Sequence, residues 1–200
     1  MLKNDKWIKS LAEGLISPFQ PRIINEGLSY GLGSFGYDIR LSALDFRIFC
    51  HIPGKVVDPL EFNPEHLESA KLHSSLKGDY FILPGHTYGL GVAIERLNVP
   101  RNITVVCLGK STYARVGVIV NVTPAEAGWR GNLTLEFSNS SCADVKIYAN
   151  KGALQLLFLE GEECDVSYAD RNQWTGGKYQ DQTEEVVLPK VGGVKYATTA

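Results

Sequence analysis

Lys110-Ser-Thr-Tyr-Ala-Arg-Val-Gly-Val-Ile-Val-Asn-Val-Thr-Pro-Ala-Glu-Ala-Gly-Trp-Arg-Gly-Asn-Leu-Thr-Leu-Glu-Phe137 is the stretch around which the rest of the chain is read. It holds two short apolar runs, Val116 to Val122 and Leu133 to Phe137, and both read as strands. In the second run strict alternation puts Leu133, Leu135 and Phe137 on one face and Thr134 and Glu136 on the other. The stretch opens on Gly109-Lys110-Ser111-Thr112, which gathers a cation, two hydroxyls and backbone amides, with Arg115 three residues on. An anion-binding turn and an acid on a strand look like two ends of one ligand site.

Outward from this stretch the pattern stays β-like. Tyr37 to Leu41 and Asp45 to Phe49 alternate polar with apolar residues. Further strands read at Tyr80 to Leu83, Thr87 to Ala93, Ile103 to Leu108, Val145 to Tyr148 and Leu154 to Leu159, separated by Gly, Pro and Asn turns. The segment from Pro64 to Lys77 reads as helical or irregular. Near the start, Asn4 or Asp5 can cap a helix carrying Trp7, Ile8 and Leu11 on one face, with Gly14 placed to end it. Gly27 to Gly36 holds four glycines with no helix pattern behind them, so a wide loop feeding a strand is expected rather than a dinucleotide fingerprint. Many short strands and little helix predict a mainly β fold, a distorted barrel or jelly-roll-like sandwich with a short N-terminal helix. Residues 1–170 form one domain on this reading. The polar tail 171–200 is expected to be a mobile arm or an element that a ligand orders.

Two hundred residues suffice for a substantial core without metal or disulfide staples. A formal net charge of −2 argues against a general nucleic-acid or membrane-surface binder, while leaving room for a local basic pocket. The widely spaced Cys50, Cys107, Cys142 and Cys164 form no paired ligand motif and predict reduced, mostly buried thiols. With no signal-like start and no apolar run of spanning length, a soluble cytoplasmic protein is expected.

The chemistry-bearing residues leave alternatives. Lys110, Ser111, Thr112 and Arg115 can give charge-assisted hydrogen bonds to a polyphosphate, or form a solvated basic turn between strands. A P-loop is excluded, because Thr104 stands where that motif needs its first glycine. Glu136 is either an ordinary exposed glutamate or, if enclosed, an acid suited to moving protons. His66-Leu67-Glu68 matches half of the zinc nucleobase deaminase signature, but the Pro-Cys-Xaa-Xaa-Cys half is absent; we assign the match to chance on a surface helix. No protein-ligated zinc is expected. Gln155 sits in an apolar strand and must find a hydrogen-bond partner, from a sugar hydroxyl or neighbouring backbone. Tyr168, Lys178, Tyr179 and Gln182 could close over a phosphate ligand or belong to a solvated C-terminus.

Together these residues resemble the dCTP deaminase branch of the dUTPase-like superfamily. The likeness runs through Gly36-Tyr37-Asp38-Ile39-Arg40-Leu41, Leu83-Pro84-Gly85, the block from Gly109 to Asn139, Gln155-Leu156, and Lys178-Tyr179 with Gln182. The resemblance implies a homotrimer with active sites between neighbouring subunits and a tail that closes over the nucleotide. It also implies hydrolytic deamination of dCTP to dUTP and ammonia, with Mg2+ carried on the triphosphate, no catalytic zinc and dTTP as a feedback inhibitor. By position, Glu136 is implied as the general base and acid, with Ser111 and Arg115 holding and polarising the water and the ring. The turn residues Lys110, Ser111, Thr112, Tyr113, Ala114 and Arg115 are implied as substrate contacts, with Tyr168, Lys178 and Gln182 from the tail. Val122, Thr123, Thr134 and Leu135 are implied at the cytosine, and Gln155 at the sugar. Two alternatives remain: a bifunctional enzyme forming dUMP and diphosphate, for which Glu126 is the nearest acid to the expected loop aspartate, and a non-catalytic nucleotide sensor.

Overall fold

Asn4 opens the first helix, its side-chain oxygen accepting from the Trp7 amide at 3.2 Å. A computed structural model describes residues 1–174 and 177–190. That helix, α1 (Asp5–Leu11), buries Ile8 and ends before Gly14, because Ala12 already takes a φ of 38°. Leu11 is exposed, so the apolar face is narrower than its spacing suggests.

The strands follow in order as β1 (Ile16–Ser17), β2 (Gly31–Leu32), β3 (Tyr37–Phe49), β4 (Leu67–Ser69), β5 (His73–Ser75), β6 (Gly78–Leu83), β7 (Tyr88–Asn98) and β8 (Ile103–Gly109). One helical turn, α2 (Ser111–Ala114), leads into β9 (Val118–Asn121), β10 (Arg130–Asn139), β11 (Val145–Tyr148) and β12 (Gly152–Glu160), and α3 (Tyr168–Trp174) precedes the tail. The mainly β expectation holds. The two alternating runs at 37–41 and 45–49 are one long strand, with a register shift against β7 between Leu41 and Phe46. The 64–77 segment departs from its reading: after one short 3-10 turn it forms β4 and β5, and His66 is buried at Cys50 rather than lying on a surface helix. Pairing with β3 and β6 supplies the ladder bonds that the local sequence does not advertise.

The main sheet runs β8-β12-β3-β7-β10-β9, with the small strands β1, β2 and β4 paired onto β7 and β3. Its two ends curl towards each other. A Cβ on Gly109 would lie 2.6 Å from the Val120 carbonyl, so only glycine lets β8 come this close to β9. Just beyond, Val105 and Ala125 exchange backbone bonds of 2.9 and 3.0 Å, which nearly closes a barrel. The second sheet, β11-β6-β5, packs across the inside through Phe81, which stacks on Phe46 at 4.9 Å, while Phe46 and Tyr113 both meet Phe137. Inward residues on β10 are Leu133, Leu135 and Phe137, all buried, so Thr134 and Glu136 face outward as the alternation required.

The four thiols are free: Cys50, Cys107 and Cys164 are half-buried, and Cys142 is exposed. Burial pushes the Cys107 thiol up to about 12. Among the described residues no helix is long and apolar enough to cross a membrane.

Candidate active site

Glu136 projects from the outer face of β10 between two ladders, opposite Asn121 of β9 and Leu90 of β7. Asn121 Nδ2 donates to Glu136 Oε2 at 2.8 Å, fixing one carboxylate oxygen. On the other flank Tyr88 of β7 stands opposite Ser138, one diagonal step from Glu136 on the same face. Burial, with the nearby Glu136 charge adding to it, pushes the Tyr88 phenol up to about 12. Thr134, two residues along the same face, donates its hydroxyl to Gln182 Oε1 at 3.0 Å.

That bond belongs to a docked tail segment. Residues 177–190 run back over β10 and β7, with the Asn132 amide donating to the Gln182 carbonyl at 3.0 Å. A Cβ on Gly131 would meet the Gln182 nitrogen at 2.8 Å, and Gly131 also has a φ of 144°, so glycine is required on both counts. Trp129 Nε1 donates to the Tyr179 carbonyl at 3.0 Å, and the Tyr168 hydroxyl accepts from the Tyr179 amide at 3.0 Å. Asp181 takes Arg130 and Arg96, each at 2.6 Å, and these guanidiniums hold its carboxyl below the usual 3.8. Further on, Val186 and Leu188 pack with Leu90, Phe49 and Tyr88. Tail residues 175–176 and 191–200 lie outside the described residues.

Between tail and sheet lies a cleft of about 1040 Å³. Val122, Thr123, Thr134, Glu136, Tyr168, Lys178 and Gln182 all line it, which brings seven of the sequence-predicted positions together. Leu135 sits between two of them, but its side chain is fully buried in the core and it does not line the cleft. Lys178 is exposed, and its ammonium has no partner among the described residues. Glu126, at the cleft wall, is engaged by Arg171 at 2.6 Å.

The turn forms a separate surface. Ser111, Thr112, Ala114 and Arg115 are exposed, and none of them lines the cleft. Tyr113 points the other way: it is buried, its hydroxyl accepts from the Tyr148 amide at 2.9 Å, and burial pushes its phenol well above the ordinary value. Lys110 is not free either. Its ammonium donates to Ser29 Oγ at 2.9 Å and to the Asp38 carboxylate, with both charged side chains nearly buried. Gln155 stands beside this group, in register with Asp38 on one side and Leu108 on the other.

Sequence reading did not single out the neighbours of Glu136. Asn121 and Tyr88 come to Glu136 only through the β9–β10–β7 order, which no local pattern states. In Val118 to Asn121 the alternation does put Asn121 on an outer face, and that was the available signal.

A family model described as dCTP deaminase-like matches residues 2–161. A dCTP deaminase of Azoarcus sp. (strain BH72) is 48% identical over 198 residues, 95% of this chain and 99% of that one. One from Sulfurovum sp. (strain NBC37-1) is 47% identical over 194 residues, covering 95% and 97%. Among solved structures, 2'-deoxycytidine 5'-triphosphate deaminase from Agrobacterium tumefaciens superposes with a TM-score of 0.57 at 15% identity. The match covers 86% of this chain and 52% of that one, so the chain spans about half its length and the likeness is one of fold. On the full-length relatives and the family model, the chain belongs to the dCTP deaminase-like family.

Proposed function

We propose that this protein hydrolyses dCTP to dUTP and ammonia, with Glu136 carrying the protons. The observation that supports this most is Glu136 itself: an outward carboxylate at a cleft wall, held by Asn121 and flanked by Thr134. It takes a proton from water as the water oxygen bonds to C4 of cytosine. Protons then pass to the amino nitrogen, the C4–N bond breaks, and the oxygen stays as the uracil carbonyl. Positioned acid–base groups of this kind contribute about 10²- to 10⁴-fold.

The rest of the machinery follows from where side chains are available. The backbone of Val122 and Thr123, with Thr134 and the backbone of Leu135, reads the cytosine edge. Tyr168, Lys178 and Gln182 engage the phosphates from the tail side. Ser111, Thr112 and Arg115 are exposed in one chain, beside the exposed apolar Leu108, Val116 and Ile119. A neighbouring copy covering that patch would carry the hydroxyls and Arg115 to its own Glu136, which is the reading of a homotrimer with shared sites. Tyr113 and Ala114 then contribute through backbone. Lys110 contributes by pinning the turn to Asp38, and Gln155 meets the sugar from the same side. Mg2+ would come with the substrate, held by its phosphate oxygens. Binding of dTTP in the same cleft would make it a competitive feedback inhibitor.

The variant Glu136→Gln keeps size and loses the base. It is expected to bind dCTP about as tightly as the parent while ammonia release falls about 10²-fold or more. Near-normal turnover would overturn the assignment.

A further inference from the structure

Alternation along β3 breaks at Ser42 to Asp45. There the polar Ser42 is fully buried and the apolar Leu44 is 74% exposed, the reverse of the usual order. Strand pairing breaks at the same place. Leu41 pairs with Ala93 and Phe46 with Gly91, so residues 42–45 of β3 stand against Val92 alone on β7. A bulge of this kind turns side chains out of the ladder and re-aims them.

Both polar side chains of the bulge meet the tail. The Ser42 hydroxyl donates to Glu184 Oε1 at 2.5 Å and accepts from the Leu44 amide at 3.0 Å. Asp45 Oδ2 accepts from the Val186 amide at 3.0 Å, while Arg47 Nε donates to its other oxygen at 2.9 Å. The Val186 side chain is buried against Leu67 and Leu90. Residues 183–190 form no helix or strand of their own, so contacts of this kind set their path. The tail then reaches the site: Val187 and Pro189 line the same cleft as Glu136. A wall carried on irregular chain is only as well placed as its fixed point, and ordering it at binding would cost affinity.

We infer that the β3 bulge is the fixed point of the tail, with Ser42 and Asp45 as positioning residues that set Val187 and Pro189 against the substrate. Neither Ser42 nor Asp45 lines the cleft, so their effect runs through the tail. The inference rests on the reading above that this cleft takes dCTP.

The test compares the whole protein with Ser42→Ala, Asp45→Ala, Glu184→Ala and the pair Ser42→Ala/Glu184→Ala. Amide hydrogen exchange over 182–188 is measured together with kcat and KM for dCTP with Mg2+, and Tm. Each single variant is expected to speed exchange of the tail about tenfold and raise KM about fivefold, with kcat within about twofold and Tm within about 2 °C of the parent. The pair should be no worse than either of its singles, since both remove one contact. Glu184→Ala lies outside the barrel and so reads the anchor even if Ser42→Ala disturbs the strand. Unchanged exchange in Asp45→Ala and Glu184→Ala would overturn the anchor. Faster exchange with an unchanged KM would overturn the link from anchor to substrate, as would effects of Ser42→Ala and Glu184→Ala that simply add. If the parent releases no ammonia from dCTP, the proposed reaction falls, and tail exchange alone then decides the anchor.

Discussion

The two ends of the Lys110 to Phe137 stretch differ in how complete they are within one chain. At the Glu136 end the carboxylate has Asn121 of β9 as its partner, a wall from the 122–125 loop and a tail laid across it. At the turn the side chains of Ser111, Thr112 and Arg115, which we propose as functional, stand exposed, while Lys110 and Tyr113 are spent on internal contacts. The same local sequence thus builds one enclosed half-site and one presented half-site. The difference teaches that adjacency in sequence does not mean adjacency in the cleft, and that a turn can be rigid in its backbone while offering its side chains elsewhere.

Mixing inactive variants breaks this comparison most sharply. Arg115→Ala and Glu136→Gln are each expected to be inactive alone. If one chain presents the turn to another chain's cleft, co-refolded equal mixtures recover about a quarter of parental activity, since each site draws its two halves independently. No recovery would mean that both halves serve one chain's own cleft.

A smaller effect is expected at the tail. Gln182→Ala removes the Thr134 contact but leaves the backbone bond to Asn132. It should raise KM for dCTP about tenfold with little loss of Tm, as measured by steady-state kinetics and calorimetry. An unchanged KM would detach the tail from substrate binding.

The smallest concerns Asp181, whose pairs with Arg96 and Arg130 are about half exposed and so contribute little. Because its carboxyl is held below 3.8, that contribution is present above about pH 4 and is lost as the pH falls further. Asp181→Asn is therefore expected to speed limited proteolysis of the tail modestly at pH 7, with the difference from the parent vanishing near pH 3. A difference that persists at pH 3 would point to hydrogen bonding rather than charge.

Much of this was legible in the sequence because it depends on local alternation. The β10 faces, the Asn4 cap and the wide loop into β3 follow from spacing and turn chemistry. Glu136 stood out for the same reason, as a charged residue on an alternating strand. Its surroundings did not, because its partner Asn121 and its neighbour Tyr88 lie 15 and 48 positions away and come beside it only through strand order. Lys110 shows the opposite case. Its sequence neighbours suggested a free phosphate ligand, and a carboxylate from β3 took up its ammonium. Likewise β4 and β5 carry no strand pattern of their own and form because β3 and β6 offer edges to pair with.

Product analysis of the intact protein, with dCTP and dUTP offered in parallel and Mg2+ present, tests the central claim most directly. The account predicts ammonia and dUTP from dCTP in equal amounts, with dUTP left unchanged. Absence of ammonia over hours, with the nucleotide bound but unmodified, would contradict it outright, and dUMP with diphosphate would contradict the single-step reaction assigned to Glu136.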